Sequence, residues 1–471
     1  MRRAGVARAG SMQVALTESQ NSEGVTGPLA SMRARVAAWL KDSEHHSVAQ
    51  RIAGAAFLIR VVSAALIYLS QIILARWMGS HEFGLYVYVW TVVLVIGDLS
   101  DLGLATAAQR FVPEYANNGA LDRLRGFLSG SRWIAVGSAT VIAAVGITTV
   151  HLLQHIIADD LVLPLWIAFA TLPFYSLMQI QDGIARAHNW VNIALLPTYV
   201  VRHLIMLALV SAAYLLSLPA DAEVAVIAVA AALLLTVIGQ TIVLNRKLAR
   251  EIAPGPKSYE RKTWLSVSLP ILMVEGFYLL LTNTDIVMLK QFRSPADVAI
   301  YYAAAKTLVL ITFVHFAVSA AVGHRFSEYH VTNDRARLAE ILSQSIRWTF
   351  WASLAASAVV LAMGPILLSL FGPQFVDGYH LMLILAVGLL ARASLGPVER
   401  LLNMVGEQRA CAAVYAMAFV LNVAVGLVLI PRLGAHGAAI ATATALVAES
   451  VALFFVTKRR LGFHVFVWGS P

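Results

Sequence analysis

About twelve apolar runs follow one another along the chain, most of them close to the ~20 residues that a helix needs to cross the hydrocarbon of a bilayer. Backbone N–H and C=O groups find no partner in lipid, so such runs cross as α-helices, each satisfying its own backbone. The runs fall at residues 52–78, 83–96, 133–153, 161–179, 193–218 and 222–244 in the first half. Those of the second half fall at 266–289, 298–322, 348–371, 379–395, 412–430 and 434–456. The second run is short, ends in GDLSD and is expected to continue toward Leu104. Composition agrees: 13% of residues are charged and 59% are hydrophobic, against roughly 25% charged in a soluble domain. Lipid must therefore solvate much of the surface, and the fold class is an all-α membrane protein.

The net charge of +9 raises the question of nucleic acid. The basic residues come as short clusters between apolar runs and not on one domain, so no nucleic-acid partner is expected. Cys411 is the single cysteine, which excludes an intrachain disulfide and a cysteine-rich metal site. The first fifty residues have no apolar segment of signal-peptide type and read as a disordered basic tail. Within it, residues 29–40 (LASMRARVAAWL) have the pattern of a short amphipathic helix on a membrane surface.

Lysine and arginine set the orientation. Clusters such as Arg33 to Arg51, Arg110 to Arg132, Arg246 to Lys262, Arg325 to Arg347 and Lys458 to Arg460 all fall on one side of the predicted bundle. Of the 35 basic residues, 27 lie on that side. The other side holds Lys290, Arg293 and Arg432. By the positive-inside rule the rich side is cytoplasmic, with both termini on it. The localisation expected is a bacterial inner membrane. Connections on the other side, such as GSHE and FGPQFVDG, are short and leave no room for a catalytic domain. Around Lys257, GPKS lacks the glycine spacing of a nucleotide-binding loop. The chain is accordingly expected not to be an enzyme, and no cofactor or metal is called for.

Six spans precede the long basic connection and six follow it. ILARWMGSHEFGLYVY from Ile73 aligns without gaps on VMLKQFRSPADVAIYY from Val287, placing Arg76 on Lys290, Ser80 on Ser294 and Tyr88 on Tyr302. An even number of spans per half gives the halves the same orientation, hence a pseudo-two-fold along the membrane normal with a cavity at the interface. The expected division is a tail (1–51), an N-lobe (52–244), a linker (245–265), a C-lobe (266–457) and a C-terminal tail (458–471).

The stretch SQIILARWMGSHEFGLYVYVW resembles the first signature of the polysaccharide flippases of the multidrug/oligosaccharidyl-lipid/polysaccharide (MOP) exporter superfamily. TNTDIVMLKQFRSPADVAIYYAAAK resembles the start of the second lobe of that family, and GPVERLLNMVGEQR and LIPRLGAHGAAIATA its late signatures. The likeness runs from about Ile52 to Arg460. It implies a MATE-like, V-shaped bundle of two six-helix lobes that moves an undecaprenyl-diphosphate-linked oligosaccharide outward by alternating access, for lipopolysaccharide or exopolysaccharide synthesis. It further implies drive by the membrane potential or by a coupling ion, H⁺ or Na⁺. Expected partners are the lipid-linked oligosaccharide, membrane lipids and a polysaccharide polymerase or export machinery. The alternative is an ion-coupled multidrug or cation antiporter of the same superfamily, whose cavity would be acidic or aromatic.

Charges inside spans cost about 2.5–3.5 kcal/mol each on insertion scales, so they face a cavity or a partner. Arg60, Arg202 and Lys306 are read as a cationic lining for a diphosphate, against snorkelling of the two arginines to the interface. Glu275, near the middle of its span, and Asp285, farther along it, are the candidates for ion coupling. The plainer readings are a salt bridge of Glu275 to Lys306 or Arg60, and a pairing of Asp285 with Lys290. Arg76 and Arg392 are assigned to interface anchoring, Glu449 to a structural pair, and His203 and His315 to packed, hydrogen-bonded positions. The segment QRFVPEYANNGALDRLRGFL is read as an interfacial amphipathic element whose Arg110, Arg123 and Arg125 face lipid headgroups.

Overall fold

The computed structural model describes residues 45–469, of which the chain from Ile59 onward forms one compact unit. The amphipathic segment 29–40 and the basic tail up to residue 44 lie outside the described residues. The tail was expected to reach residue 51, but helix is already present from His45.

The described chain is helical with intervening turns. Helix α1 (His45–Ser100) contains two membrane crossings separated at Gly79. Then come α2 (Leu104–Asn117), α3 (Leu121–Leu152), α4 (Asp159–Ala187), α5 (Val191–Leu215) and α6 (Ala222–Glu251). The second half holds α7 (Arg261–Phe292), α8 (Pro295–Val331), α9 (Arg335–Ala362), the short α10 (Gly364–Ser369), α11 (Tyr379–Ala393), the short α12 (Val398–Met404), α13 (Gln408–Leu433) and α14 (Ala435–Leu461). Among the described residues, 11 helices are long and apolar enough to cross a membrane, and the first carries two crossings. Their ends follow ordinary capping chemistry. Asp221 accepts from the Val224 N–H at 2.9 Å. Ser294 and Asp297 form a reciprocal capping box with Pro295 at the first helical position.

The helices overrun the apolar runs. α3 starts at Leu121, twelve residues before the predicted span, and its 32 residues extend about 48 Å. Hydropathy reads only the hydrocarbon-embedded part of a helix that continues into polar surroundings. The connection between halves shrinks correspondingly, since α6 runs to Glu251 and α7 starts at Arg261. Beyond Leu461 the expected tail folds back, burying Phe463, Val465 and Val467. The predicted interfacial element is α2 plus the first turns of α3. Leu104, Phe111, Val112 and Tyr115 of α2 are buried against α3, α4 and α7, so protein covers the face that was assigned to the bilayer. Arg123 pairs with Glu260 at 3.2 Å, and Arg110 with Glu114 at 3.5 Å.

Helices α2 to α6 pack mainly on one another, as do α7 to α14. The aligned segments of the two halves break at matching places, Gly79 falling on Arg293 in the register that sets Ile73 on Val287. At these breaks, on the face opposite the α6–α7 linker, the halves close against each other. Leu74, Phe83 and Tyr86 of the first half share one buried apolar core with Tyr301, Tyr302, Phe371 and Phe375 of the second. Arg76 extends this junction by donating to the carbonyls of Leu370 (2.7 Å) and Ser369 (2.5 Å) at the end of α10. It thus engages exposed carbonyls at a helix end, at a level compatible with the interface position expected of it. Gly84 permits a close approach here, because a Cβ there would overlap the Pro295 carbonyl. The outer surface is apolar, with Val141, Leu215, Val359 and Val420 each more than half exposed, as a lipid-facing surface requires. Trp133, Trp348 and Trp468 are exposed toward the linker face, where an aromatic belt sits.

Candidate functional site

On α1 the apolar junction starts at Leu74, and the residues before it line a cavity of about 510 Å³. Its walls come from both crossings of α1, from α4, α5 and α6, and from α7 and α8 of the other half. Arg60, Arg202 and Lys306 all line it. Three cations that are 142 and 104 residues apart in sequence thus meet around one space. Each lies against an aromatic face. The Arg60 guanidinium is 4.4 Å from the Tyr199 ring centre and 5.5 Å from that of Phe316. Arg202 lies 5.4 Å from Trp90, and the Lys306 ammonium 5.0 Å from Tyr302. Such contacts are worth about 0.5–2 kcal/mol and do not neutralise the charge.

Arg202 reaches the cavity through a wide π turn at Pro197–Val201, in which the Arg202 N–H bonds to the Pro197 carbonyl five residues back. Proline has no N–H to give to the regular ladder, and the wide turn accommodates it. Arg60 and Lys306 sit on regular helix.

What separates these three from Arg186 and Arg392 is pairing. Among the described residues no carboxylate lies within 4 Å of Arg60, Arg202 or Lys306. Arg186, by contrast, is ion-paired to Asp182 one turn before it. Arg392 reaches Glu399 at 2.5 Å and Glu449 at 3.6 Å. Charges at membrane depth ordinarily face a partner, so three half-buried cations with no carboxylate in contact suit an anion from elsewhere. One carboxylate, Asp98, lines the same cavity. It is held by the Tyr175 hydroxyl (2.9 Å) and the Gln179 amide (2.8 Å). Gln71 Oε1, Thr198 Oγ1 and His203 Nδ1 are buried on the wall without protein partners. With the tyrosine and tryptophan rings they form a surface suited to a polar, hydroxyl-rich group.

Glu275 is elsewhere. It faces an adjoining crevice of about 290 Å³ between α2, α4 and α7, which shares Asp98 and Gln179 with the cavity and also holds Asp101, Asp182 and Arg186. The Thr106 hydroxyl donates to its carboxylate at 3.0 and 3.1 Å. This bond crosses from one half to the other, and the salt bridge to Lys306 or Arg60 is not formed. Asp285 is buried in the second half. Tyr301 and Thr442 donate to it, the latter at 3.1 Å, as does the Ile286 N–H at 2.9 Å. Its expected pairing with Lys290 is replaced by these hydroxyls, because its side chain points into the helix packing.

A second group of charges was missed as a unit. Arg392 is 16% exposed and no interface anchor: α12 folds back beside it and supplies Glu399, while α14 supplies Glu449, which is fully buried. The Tyr415 hydroxyl donates to Glu399 at 2.5 Å, Arg392 donates to the Tyr278 hydroxyl at 3.1 Å, and His315 lies 3.9 Å from Glu399. Two acids thus share one arginine beside a cavity of about 410 Å³. The signal in the sequence was the pair of acids within reach of helix ends, but only the fold-back of α12 makes them neighbours.

Residues 52–330 match the family described as polysaccharide biosynthesis protein, and residues 270–428 match the MatE family. No curated protein matches the chain. Solved structures share the fold. An inward-facing multidrug-resistance MATE transporter of the MOP superfamily superposes with TM-score 0.71 at 16% identity, covering 86% of this chain and 98% of that one. An outward-facing structure of such a transporter gives 0.64 at 14%, covering 86% and 94%. A MOP-superfamily transporter from Pyrococcus furiosus, whose reversed binding-pocket polarity suggests a different function for it, gives 0.65 at 14%, covering 87% and 94%. With the family match spanning more than half its length, the chain belongs to the polysaccharide biosynthesis protein family, and it has the fold of the MOP-superfamily transporters.

Proposed function

We propose that this transporter flips a polyprenyl-diphosphate-linked oligosaccharide from the cytoplasmic to the periplasmic leaflet of a bacterial inner membrane by alternating access. The observation that carries the reading is the meeting of Arg60, Arg202 and Lys306 around one cavity without a carboxylate partner. A diphosphate leaving water loses its hydration, and fixed guanidinium and ammonium groups replace it. A volume of about 510 Å³ suits a drug-sized group, hence the diphosphate with its first sugars. The aromatic rings and the unpartnered Gln71, Thr198 and His203 atoms suit sugar faces and hydroxyls. The polyprenyl chain remains in lipid.

The linker face, rich in lysine and arginine, is the cytoplasmic one in this reading. The apolar junction then closes the cavity toward the periplasm, as an inward-facing state requires. Rocking of the halves opens the junction and releases the cargo. With the interior negative, each net negative charge moved outward gains about 2.3 kcal/mol per 100 mV. Glu275 and Asp285 are the coupling candidates. Glu275 is the stronger, because its bond to Thr106 joins the two halves and its protonation state changes that bond. Handover to a polymerase or export machinery follows from the same reading, which assigns the chain no catalytic step.

The test is flipping of a lipid-linked oligosaccharide by the purified protein in liposomes. Arg60→Ala and Lys306→Ala are each expected to lower the rate roughly ten- to a hundredfold, the loss of one hydrogen bond to a charged group. Unchanged rates with intact protein would remove the cationic-lining reading. The antiporter reading draws on the MatE match and on Asp98 at the cavity wall. It requires transport of an organic cation that survives both substitutions.

A further inference from the structure

We infer that the linker face of the first half carries a binding site for the phosphate headgroup of an anionic phospholipid, separate from the transport cavity. A hollow of about 680 Å³ lies between α3, α4, α6 and the α6–α7 linker. Arg125, Arg132 and Lys257 converge on it. One nitrogen of the Arg132 guanidinium donates to Asn245 Oδ1 at 2.7 Å. The other two, Nε and Nη2, are buried and have no partner. Arg125 donates to the carbonyls of Ala253 (2.8 Å) and Pro256 (3.3 Å), which presses its guanidinium against the linker. Gly255 makes room for it, as a Cβ there would come within 2.5 Å of Nη1. The Lys257 ammonium lies 3.4 Å from the Ser129 hydroxyl. Among the described residues no carboxylate is within 4 Å of any of the three cations.

The occupant follows from the walls. The charged rim is continuous with an apolar wall that includes Leu177 and Leu248, and Trp133 stands beside Arg132 with 73% of its surface exposed. An exposed tryptophan adjoining basic residues marks the headgroup level of a bilayer. A soluble anion would satisfy the cations and leave the apolar wall bare, whereas a phospholipid covers both. Basic pockets between helix ends at this level suit anionic headgroups, each nearby lysine or arginine strengthening binding about fivefold. The site needs no assumption about the transported cargo.

The experiment uses the full-length protein, delipidated in detergent, and measures binding by native mass spectrometry. The probes are phosphatidylglycerol, phosphatidylcholine and inorganic phosphate. Phosphatidylglycerol should be retained, with phosphatidylcholine and inorganic phosphate bound at least tenfold more weakly. Lys257→Gln and Arg132→Gln should each weaken phosphatidylglycerol about fivefold, and the pair about 25-fold. Arg337→Gln, an exposed residue paired with Asp334 at 3.3 Å, should change nothing. Should Arg132→Gln fail to fold, Lys257→Gln at the rim carries the test. Equal binding of the two lipids overturns the proposal, as does inorganic phosphate matching phosphatidylglycerol, or variants binding like the parent.

Discussion

Lys306 offers a separation between stability and transport that follows from its missing partner. Replacing it with methionine keeps most of the side chain, one atom shorter, and removes the charge. A cation at membrane depth costs about 2.5–3.5 kcal/mol, which the substitution returns in part, since one side of Lys306 faces the cavity. Against this stands the contact with the Tyr302 ring at 5.0 Å, worth about 0.5–2 kcal/mol. Asp285 keeps its bonds from Tyr301, Thr442 and the Ile286 N–H and so is not orphaned. The net expectation for Lys306→Met is a stability unchanged or raised by about 1–2 kcal/mol, with transport of the lipid-linked glycan strongly reduced. Thermal unfolding in detergent, followed by size-exclusion fluorescence, measures the first, and flipping in liposomes the second. A clear loss of stability would refute the reasoning, because it would mean that the ammonium serves the fold. Unimpaired transport would refute it from the other side.

Arg392→Met should do the opposite, lowering stability by about 3–5 kcal/mol, because Glu399 and Glu449 are then left buried without a counter-charge; adding Glu449→Gln should recover part of the loss. Tyr301→Phe removes the hydroxyl that donates to Asp285 and is expected to cost about 1–3 kcal/mol in thermal unfolding, with cavity labelling unchanged. Gly84→Leu forces a side chain into the Pro295 carbonyl and should open the apolar junction. In a membrane vesicle, a cysteine introduced at Leu310 of the cavity wall should then react with an impermeant maleimide from the face opposite the linker, which it does not do with Gly84 intact; the native Cys411 is buried and gives little background. Glu275→Gln should abolish the response of transport to an imposed ion gradient while leaving exchange of cargo across the bilayer measurable.

Much of this architecture was legible in the chain itself, for a physical reason. Lipid forces every crossing to be a helix of about 20 apolar residues, so the spans and their number could be counted. Charges inside them stand out because they are expensive there, which is how Arg60, Arg202 and Lys306 were found before their meeting was visible. What one dimension conceals is pairing. Arg392 is the next-to-last residue of α11, where a count of depth assigns it to the interface. The chain then turns inward, and Glu399 on α12 and Glu449 on α14 close around it. Glu275 and Asp285 were likewise recognised as unusual. Their partners are hydroxyls on other helices, Thr106 for the one and Tyr301 and Thr442 for the other, and no spacing in sequence announces those. The overlong ends of α3, α6 and α7 escaped because hydropathy measures the thickness of oil and not the length of helix.

The wide turn at Pro197–Val201 holds one residue more than a regular helix would spend on the same rise. Deleting a single residue there would restore the ordinary ladder and leave the helix on either side in its present register, because the wide turn is what absorbs the extra residue. Arg202 would keep its place on the cavity, while the side chains of the turn itself, Thr198 and Tyr199 among them, would be redistributed. For most proteins a one-codon deletion is harmless only in loops and ruinous within a membrane helix; at this point it would act as a selector, exchanging which side chain meets the cargo while leaving both ends of the helix anchored. Gain or loss of a codon at this position thus changes the lining of the cavity without moving the helix ends that frame it.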